Sequence, residues 1–177
     1  MICILMGYMG SGKSSVGKKL SKERKINFVD LDQYIEQKEH LSVIELIEKS
    51  QLKFRKLESQ YLKELLESSG SLVLSLGGGT PAYGENIRWI KQCPNATSFY
   101  LKASVSQLSQ RLFSLRTTRP IIPKDVNSIN HLQEFIGKHL FERISYYNQA
   151  DFHIETDRKK IDQIAVEINT ILNNSEG

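Results

Sequence analysis

The segment Gly7-Tyr8-Met9-Gly10-Ser11-Gly12-Lys13-Ser14 constrains this chain more than any other. It satisfies every fixed position of the phosphate-loop pattern G-x-x-x-x-G-K-[ST]. Its surroundings fit as well: the apolar run Ile2 to Met6 precedes it, and a lysine-rich helical pattern, Ser14 to Arg24, follows. Glycines at 7, 10 and 12 let successive backbone N–H groups turn inward as an anion nest. The positive end of the following helix points at the same place. Lys13 can reach the β- and γ-phosphates, and the Ser14 hydroxyl is placed to ligate Mg²⁺. A chain with such a loop binds a nucleoside triphosphate.

Beyond the loop, short apolar runs alternate with helical patterns. Strands are expected at Ile2 to Met6, Asn27 to Asp32, Ser71 to Leu76, Thr97 to Leu101 and Phe152 to Glu155. Between them, Gln33 to Ser68 reads as two or three helical pieces, with further helices near Glu85 to Gln92, Ser104 to Leu115 and Leu132 to Tyr147. Ile161, Ile164, Ala165, Ile168, Ile171 and Leu172 mark a closing amphipathic helix. This order predicts an α/β fold, a parallel sheet with helices on both faces joined by right-handed crossovers. Thr117 to Asn130, with Pro120 and Pro123, reads as irregular.

Bulk composition decides less. At 177 residues, 40% hydrophobic and 25% charged, the chain is long enough for one core and is not disordered, collagen-like or coiled-coil. A net charge of +4 selects no partner. Lys18, Lys19, Lys22, Arg24 and Lys25 read as a solvated helix face, since no aromatic residues interleave them. Cys3 and Cys93 sit in apolar context and read as buried small hydrophobes in a reducing compartment. Met1 to Met6 is too short to span a membrane or serve as a signal core, so a soluble cytoplasmic protein is expected.

Ligands of open α/β sheets bind outside the carboxyl ends of the strands. Three such ends carry polar or glycine-rich features here. Besides the loop there is Phe28-Val29-Asp30-Leu31-Asp32, where strand alternation would turn Asp30 and Asp32 to one side. Two carboxylates beside a triphosphate call for a cation and a hydroxyl donor between them. Alone, Asp32 could instead be an ordinary helix N-cap ahead of Gln33 to Glu36, the lesser of the two readings. The third is Gly77-Gly78-Gly79, which permits close approach of backbone to a ligand. Arg55, Arg119 and Arg143 carry the fork suited to carboxylate or phosphate, although a single arginine is more often just solvated.

Taken together, these segments resemble the shikimate kinase family over nearly the whole chain. The residues that carry the likeness are Gly7 to Ser15, Phe28 to Asp32, Phe54-Arg55 with Glu58, Leu76 to Pro81, Arg119-Pro120-Ile121-Ile122 and Glu142-Arg143. The resemblance implies a three-layer, five-stranded parallel sheet of the nucleoside-monophosphate-kinase type. It implies one domain over residues 1–177, with a small lid at about 113–130 and a substrate-binding helical segment at about 33–62. The reaction it implies is Mg-ATP-dependent phosphorylation of the 3-hydroxyl of shikimate by a monomer, with no nucleic-acid or membrane partner. Lys13, Asp32 and Arg119 would be catalytic. Gly10, Ser11, Gly12, Lys13, Ser14, Ser15, Arg111, Arg119 and Lys159 would hold ATP, with the Thr156 to Lys159 segment opposite Arg111 at adenine. Asp32, Arg55, Gly77, Gly78, Gly79 and Arg143 would hold shikimate, the arginines taking its carboxylate. Ser14 and Asp30 would hold the metal, Asp30 through a water.

The chain departs from the family pattern at Ser50-Gln51, where Gly-Glu is frequent, and at His40, where glycine is frequent. It is one residue short between Arg143 and Ala150, and Ile161 stands where some members place proline. Two other readings stay open at this level. One is a kinase for gluconate or a nucleoside monophosphate on the same fold. The other is a regulatory nucleotide switch, although the N-K-x-D element of a guanine switch is missing.

Overall fold

The computed structural model describes residues 1–68, 70–115, 122–123 and 125–175. The elements run β1 (Ile2–Met6), α1 (Lys13–Arg24), β2 (Asn27–Asp30), α2 (Leu31–Glu39), α3 (Val43–Lys49) and α4 (Gln51–Leu66). Then come β3 (Leu72–Ser75), a 3-10 turn (Thr80–Ala82), α5 (Asn86–Gln92), β4 (Ala96–Lys102) and α6 (Val105–Phe113). The chain ends with α7 (Ile129–Tyr147), β5 (Phe152–Glu155) and α8 (Ile161–Ser175).

The strands form one 5-stranded sheet in the order β2-β3-β1-β4-β5, and every pairing is parallel. β1 lies in the middle and is buried along its whole length, which is why its sequence is an unbroken apolar run. Its side chains divide by alternation. Cys3 and Leu5 join Val16, Leu20, Ile164 and Ile168 beneath α1 and α8, while Ile2, Ile4 and Met6 join the core under α4, α5, α6 and α7. Each fully buried aliphatic side chain contributes about 1.5–3 kcal/mol. Helices therefore cover both faces, as the sequence pattern requires.

The register brings the functional strand ends level. Asp30 of β2 pairs with Ser75 of β3, Ser75 pairs with Leu5 of β1, and Leu5 pairs with Phe99 of β4. From β1 the chain crosses to β2 on one side, and from β3 it crosses to β4 on the other. The crevice at this reversal, between the ends of β1 and β3, is the place where such sheets bind ligands.

Some expectations shift. β2 ends at Asp30 rather than Asp32, because the chain turns at once into α2 and Asp32 lies in that helix's first turn. α7 begins at Ile129, earlier than the apolar spacing indicates, because Ser128 caps it by accepting from the His131 N–H at 3.2 Å. Cys3 is fully buried, whereas Cys93 is only half-buried at the end of α5. The expected lid at 113–130 overlaps the end of α6 and the start of α7, and Ile122 and Val126 pack into the core. Residues 116–121 and 124, Arg119 among them, lie outside the described residues. No helix among the described residues is long and apolar enough to cross a membrane.

Candidate active site

The loop after β1 uses backbone conformations closed to most side chains. Gly7, Gly10 and Gly12 have φ of 142°, 81° and 101°. Gly12 leads directly into α1, whose first N–H groups open toward the loop. Lys13 is buried, and its ammonium donates to the carbonyls of Gly7 at 2.9 Å and Tyr8 at 3.0 Å. The lysine charge is thus drawn over the loop itself. The Ser11 hydroxyl is buried in the same turn with no hydrogen-bond partner among the described residues.

A cleft of about 480 Å³ opens from this loop. Gly10, Ser11, Gly12, Lys13, Ser14, Ser15, Asp30, Asp32, Gly77, Gly78, Arg111 and Lys159 all line it. Asp30 and Asp32 reach it from a strand-to-helix corner rather than from one face of a strand. Asp32 is half-buried, and its carboxyl is pushed up to about 6. Burial is the main cause, followed by the charges of Glu58 and Asp30, while Lys13 and Arg55 pull the other way.

The glycine triplet is explained by what crowds against it. A Cβ on Gly77 would lie 3.0 Å from each of Asp32 Oδ1, Glu58 Oε1 and Thr80 Oγ1. One on Gly79 would lie 2.5 Å from Nη2 of Arg55. Gly78 adjoins the phosphate loop at Met9 N, and its carbonyl accepts from the Tyr147 hydroxyl. The triplet therefore joins the phosphate loop to a second, arginine-lined region.

Arg55, Gly79 and Arg143 belong to that region and do not line the main cleft. Ser50 caps α4 by accepting from Lys53 N, setting Arg55 within the helix's second turn. Arg55 Nη1 donates to Glu58 Oε2 at 2.6 Å, and Glu58 Oε1 accepts from Thr80 Oγ1 at 2.5 Å. Glu58 is 1% exposed, so this buried carboxylate fixes both the arginine and the chain after the triplet. Arg143 Nη2 contacts His139 Nε2 at 2.6 Å, and His139 Nδ1 lies 2.9 Å from the Tyr8 hydroxyl.

At the other end of the cleft, Arg111 Nη1 donates to the Gly10 carbonyl at 2.9 Å and Lys159 binds Glu167. Both flank the loop, from α6 and from the turn before α8. The Ser14 Oγ donates to Asp30 Oδ2 at 2.7 Å. A hydroxyl and a carboxylate meeting at a helix N-terminus are hard oxygen donors, the kind Mg²⁺ takes alongside phosphates and water. Among the described residues there is no group of three or more His, Cys, Asp or Glu that could hold a metal ion.

Glu58, Thr80, Tyr147, Tyr8 and His139 are structural members of the site to which sequence reasoning gives no role. For Glu58 and His139 a signal existed, because they stand three and four residues from Arg55 and Arg143 on helices. Thr80 is seen only as part of the Leu76 to Pro81 segment and Tyr147 carries no local signal, since their partners are distant in the chain.

Comparison with known proteins gives a consistent result. The profile of the family described as Shikimate kinase matches residues 9–173. A shikimate kinase of Flavobacterium johnsoniae is 42% identical over 170 residues, covering 96% of this chain and 97% of the relative. One from Bacillus mycoides is 36% identical over 171 residues, covering 96% of each. Among solved structures, the shikimate kinase of Bacteroides thetaiotaomicron superposes with a TM-score of 0.87 at 30% identity, covering 98% of both chains. That of Acinetobacter baumannii, solved in complex with shikimate, also gives 0.87, at 26% identity over 98% of this chain and 93% of that one.

Proposed function

This chain belongs to the shikimate kinase family, ATP-dependent kinases that phosphorylate an alcohol, and from that premise we propose how its residues divide the work. The acceptor is shikimate and the bond formed is to its 3-hydroxyl. ATP lies in the main cleft, with its phosphates in the nest of Gly10, Ser11, Gly12, Lys13, Ser14 and Ser15. Its adenine sits between Arg111 and the segment from Thr156 to Lys159. Shikimate occupies the region beyond Gly78, with its carboxylate toward Arg55 and Arg143 and its ring hydroxyls toward Asp32 and the triplet backbone.

The chemistry needs positioning and charge compensation more than covalent catalysis. Lys13 neutralises charge spreading over the transferred group, and Arg119 is assigned the same task from the lid. Asp32 orients the attacking hydroxyl and accepts its proton. Ser14 and Asp30 would hold Mg²⁺, the serine directly and the aspartate through water; when bound, the ion shields the phosphate oxygens. Residues 1–177 act as one unit in this reading, with 33–62 holding the acceptor and 113–130 closing to exclude water. The protein works as a cytoplasmic monomer on small molecules, without nucleic-acid or membrane partners.

The observation that carries the proposal is the closeness of Gly78 to the phosphate loop, where a Cβ on Gly78 would lie 3.4 Å from Met9 N; it supports an acceptor region beside the triphosphate site. Asp32→Asn tests it. Phosphorylation of shikimate should fall by at least about 100-fold while ATP affinity stays within about 3-fold. Retained turnover would refute the assignment of Asp32.

A further inference from the structure

Arg55 and Arg143 are held in opposite ways. Arg55 is paired with the buried Glu58 carboxylate, so its positive charge is offset where it stands. Arg143 is held by an imidazole. An arginine has only donors, so the 2.6 Å contact requires His139 Nε2 to be an unprotonated acceptor. The ring proton is then on Nδ1, which donates to the Tyr8 hydroxyl at 2.9 Å. Arg143 Nη1 also donates to the His139 carbonyl at 3.5 Å, so one residue holds the guanidinium by both side chain and backbone.

The imidazole is itself pinned. Its ring meets Tyr8 edge-on, with centroids 5.8 Å apart at 83°, and packs on Phe135 at 5.2 Å. Burial is the first cause that lowers its pKa to about 4, and Arg143 and Arg55 add to it against Glu142. Neutral His139 therefore persists at physiological pH. Tyr8 belongs to the phosphate loop, and its carbonyl accepts from Lys13. The contacts run without a gap from Arg143 to the lysine of the triphosphate site.

A neutral acceptor can aim a guanidinium without cancelling its charge, whereas a carboxylate aims and cancels together. We propose that His139 is a positioning residue for the acceptor: it directs the Arg143 fork at full charge toward the substrate carboxylate and ties that arm to the phosphate loop through Tyr8. The inference rests on the reading of Arg143 as a shikimate contact. It extends that reading by separating two arginine roles, one supplying geometry with its charge offset and one supplying the net charge that selects an anionic acceptor.

The test is steady-state kinetics, with KM for shikimate and for ATP measured separately in His139→Ala, His139→Gln, His139→Glu and Arg143→Ala. The amide oxygen of glutamine can replace Nε2 as a neutral acceptor, so His139→Gln should stay within about 2-fold of the parent. His139→Ala should raise shikimate KM about 10-fold with ATP KM unchanged. His139→Glu, which accepts equally well but offsets the charge, should raise it at least as much. Arg143→Ala should raise shikimate KM further still. If Arg143→Ala leaves shikimate KM unchanged, the assignment of Arg143 fails. If Arg143→Ala raises it but glutamine and glutamate behave alike at His139, or ATP KM rises in step, the positioning role fails. The glutamine and glutamate variants are close in size, so their comparison decides the matter even where alanine does not fold.

Discussion

The Arg55 guanidinium crowds Gly79, so close that a Cβ on the glycine would stand 2.5 Å from Nη2 and 2.8 Å from Nη1. Gly79 has an ordinary φ of −96°, so what excludes a side chain there is the arginine and not the backbone. Gly79→Ala should therefore fold, because the displaced group is the end of a flexible side chain. The Arg55 fork must move, and misplacing a substrate-holding group by about 1 Å can cost up to about 100-fold in rate. Shikimate kcat/KM should fall at least about 10-fold with ATP KM and thermal stability little changed.

Ser14 bears on the metal. Removing its hydroxyl in Ser14→Ala takes away a hard donor and leaves Asp30 without the 2.7 Å bond. The Mg²⁺ concentration for half-maximal turnover should rise about 10-fold or more, with shikimate KM unaffected. A titration of rate against Mg²⁺ at fixed ATP reads both quantities.

Asp32 and His139 make opposite pH contributions to the stability of the ligand-free and metal-free protein. The Asp32 carboxyl, facing Glu58, Asp30, Lys13 and Arg55, is raised from 3.8 to about 6, so the folded state binds the extra proton and this contribution is lost as pH rises through about 6. His139, facing Tyr8, Arg143, Glu142 and Arg55, is lowered from 6.5 to about 4, so its contribution is present above 6.5 and lost as pH falls toward 4. Relative to the parent, Asp32→Asn should gain thermal stability as pH rises from about 4 to 6. His139→Gln should gain as pH falls over the same range. Melting curves in buffers spanning that window check the two signs.

His40 ends α2 with φ 55° and ψ 29°, a left-handed conformation that strains a residue with a Cβ. The frequent glycine of the family pattern at this place has that physical reason. His40→Gly should stabilise the fold by up to about 1 kcal/mol, raising the melting temperature by roughly 2–4 °C without altering either KM.

The phosphate loop is legible because each position answers to a local demand, a left-handed turn at Gly12 or a hydroxyl at the helix start at Ser14. The sheet is legible from its apolar runs. Asp32 is picked out from the sequence and does line the cleft, but it is set on a strand, because alternation does not reveal that β2 ends at Asp30 and a helix begins. Arg55, Arg119 and Arg143 are picked out only through the family pattern, and the contacts that hold Arg55 and Arg143 in place reach distant parts of the chain. Glu58 is seen beside Arg55, yet its bond to Thr80 spans 22 positions. His139 lies one helical turn from Arg143, but its link to Tyr8 spans 131. The proposed acceptor region is assembled by three crossovers that bring α4, α7 and the triplet to one end of the sheet.

The most direct measurement is the rate of ADP release at fixed Mg-ATP with and without shikimate. The account predicts low release from Mg-ATP alone and a saturable rise of at least about 100-fold on adding shikimate, with one phosphorylated shikimate formed per ADP. A rate that is the same in both conditions would contradict it.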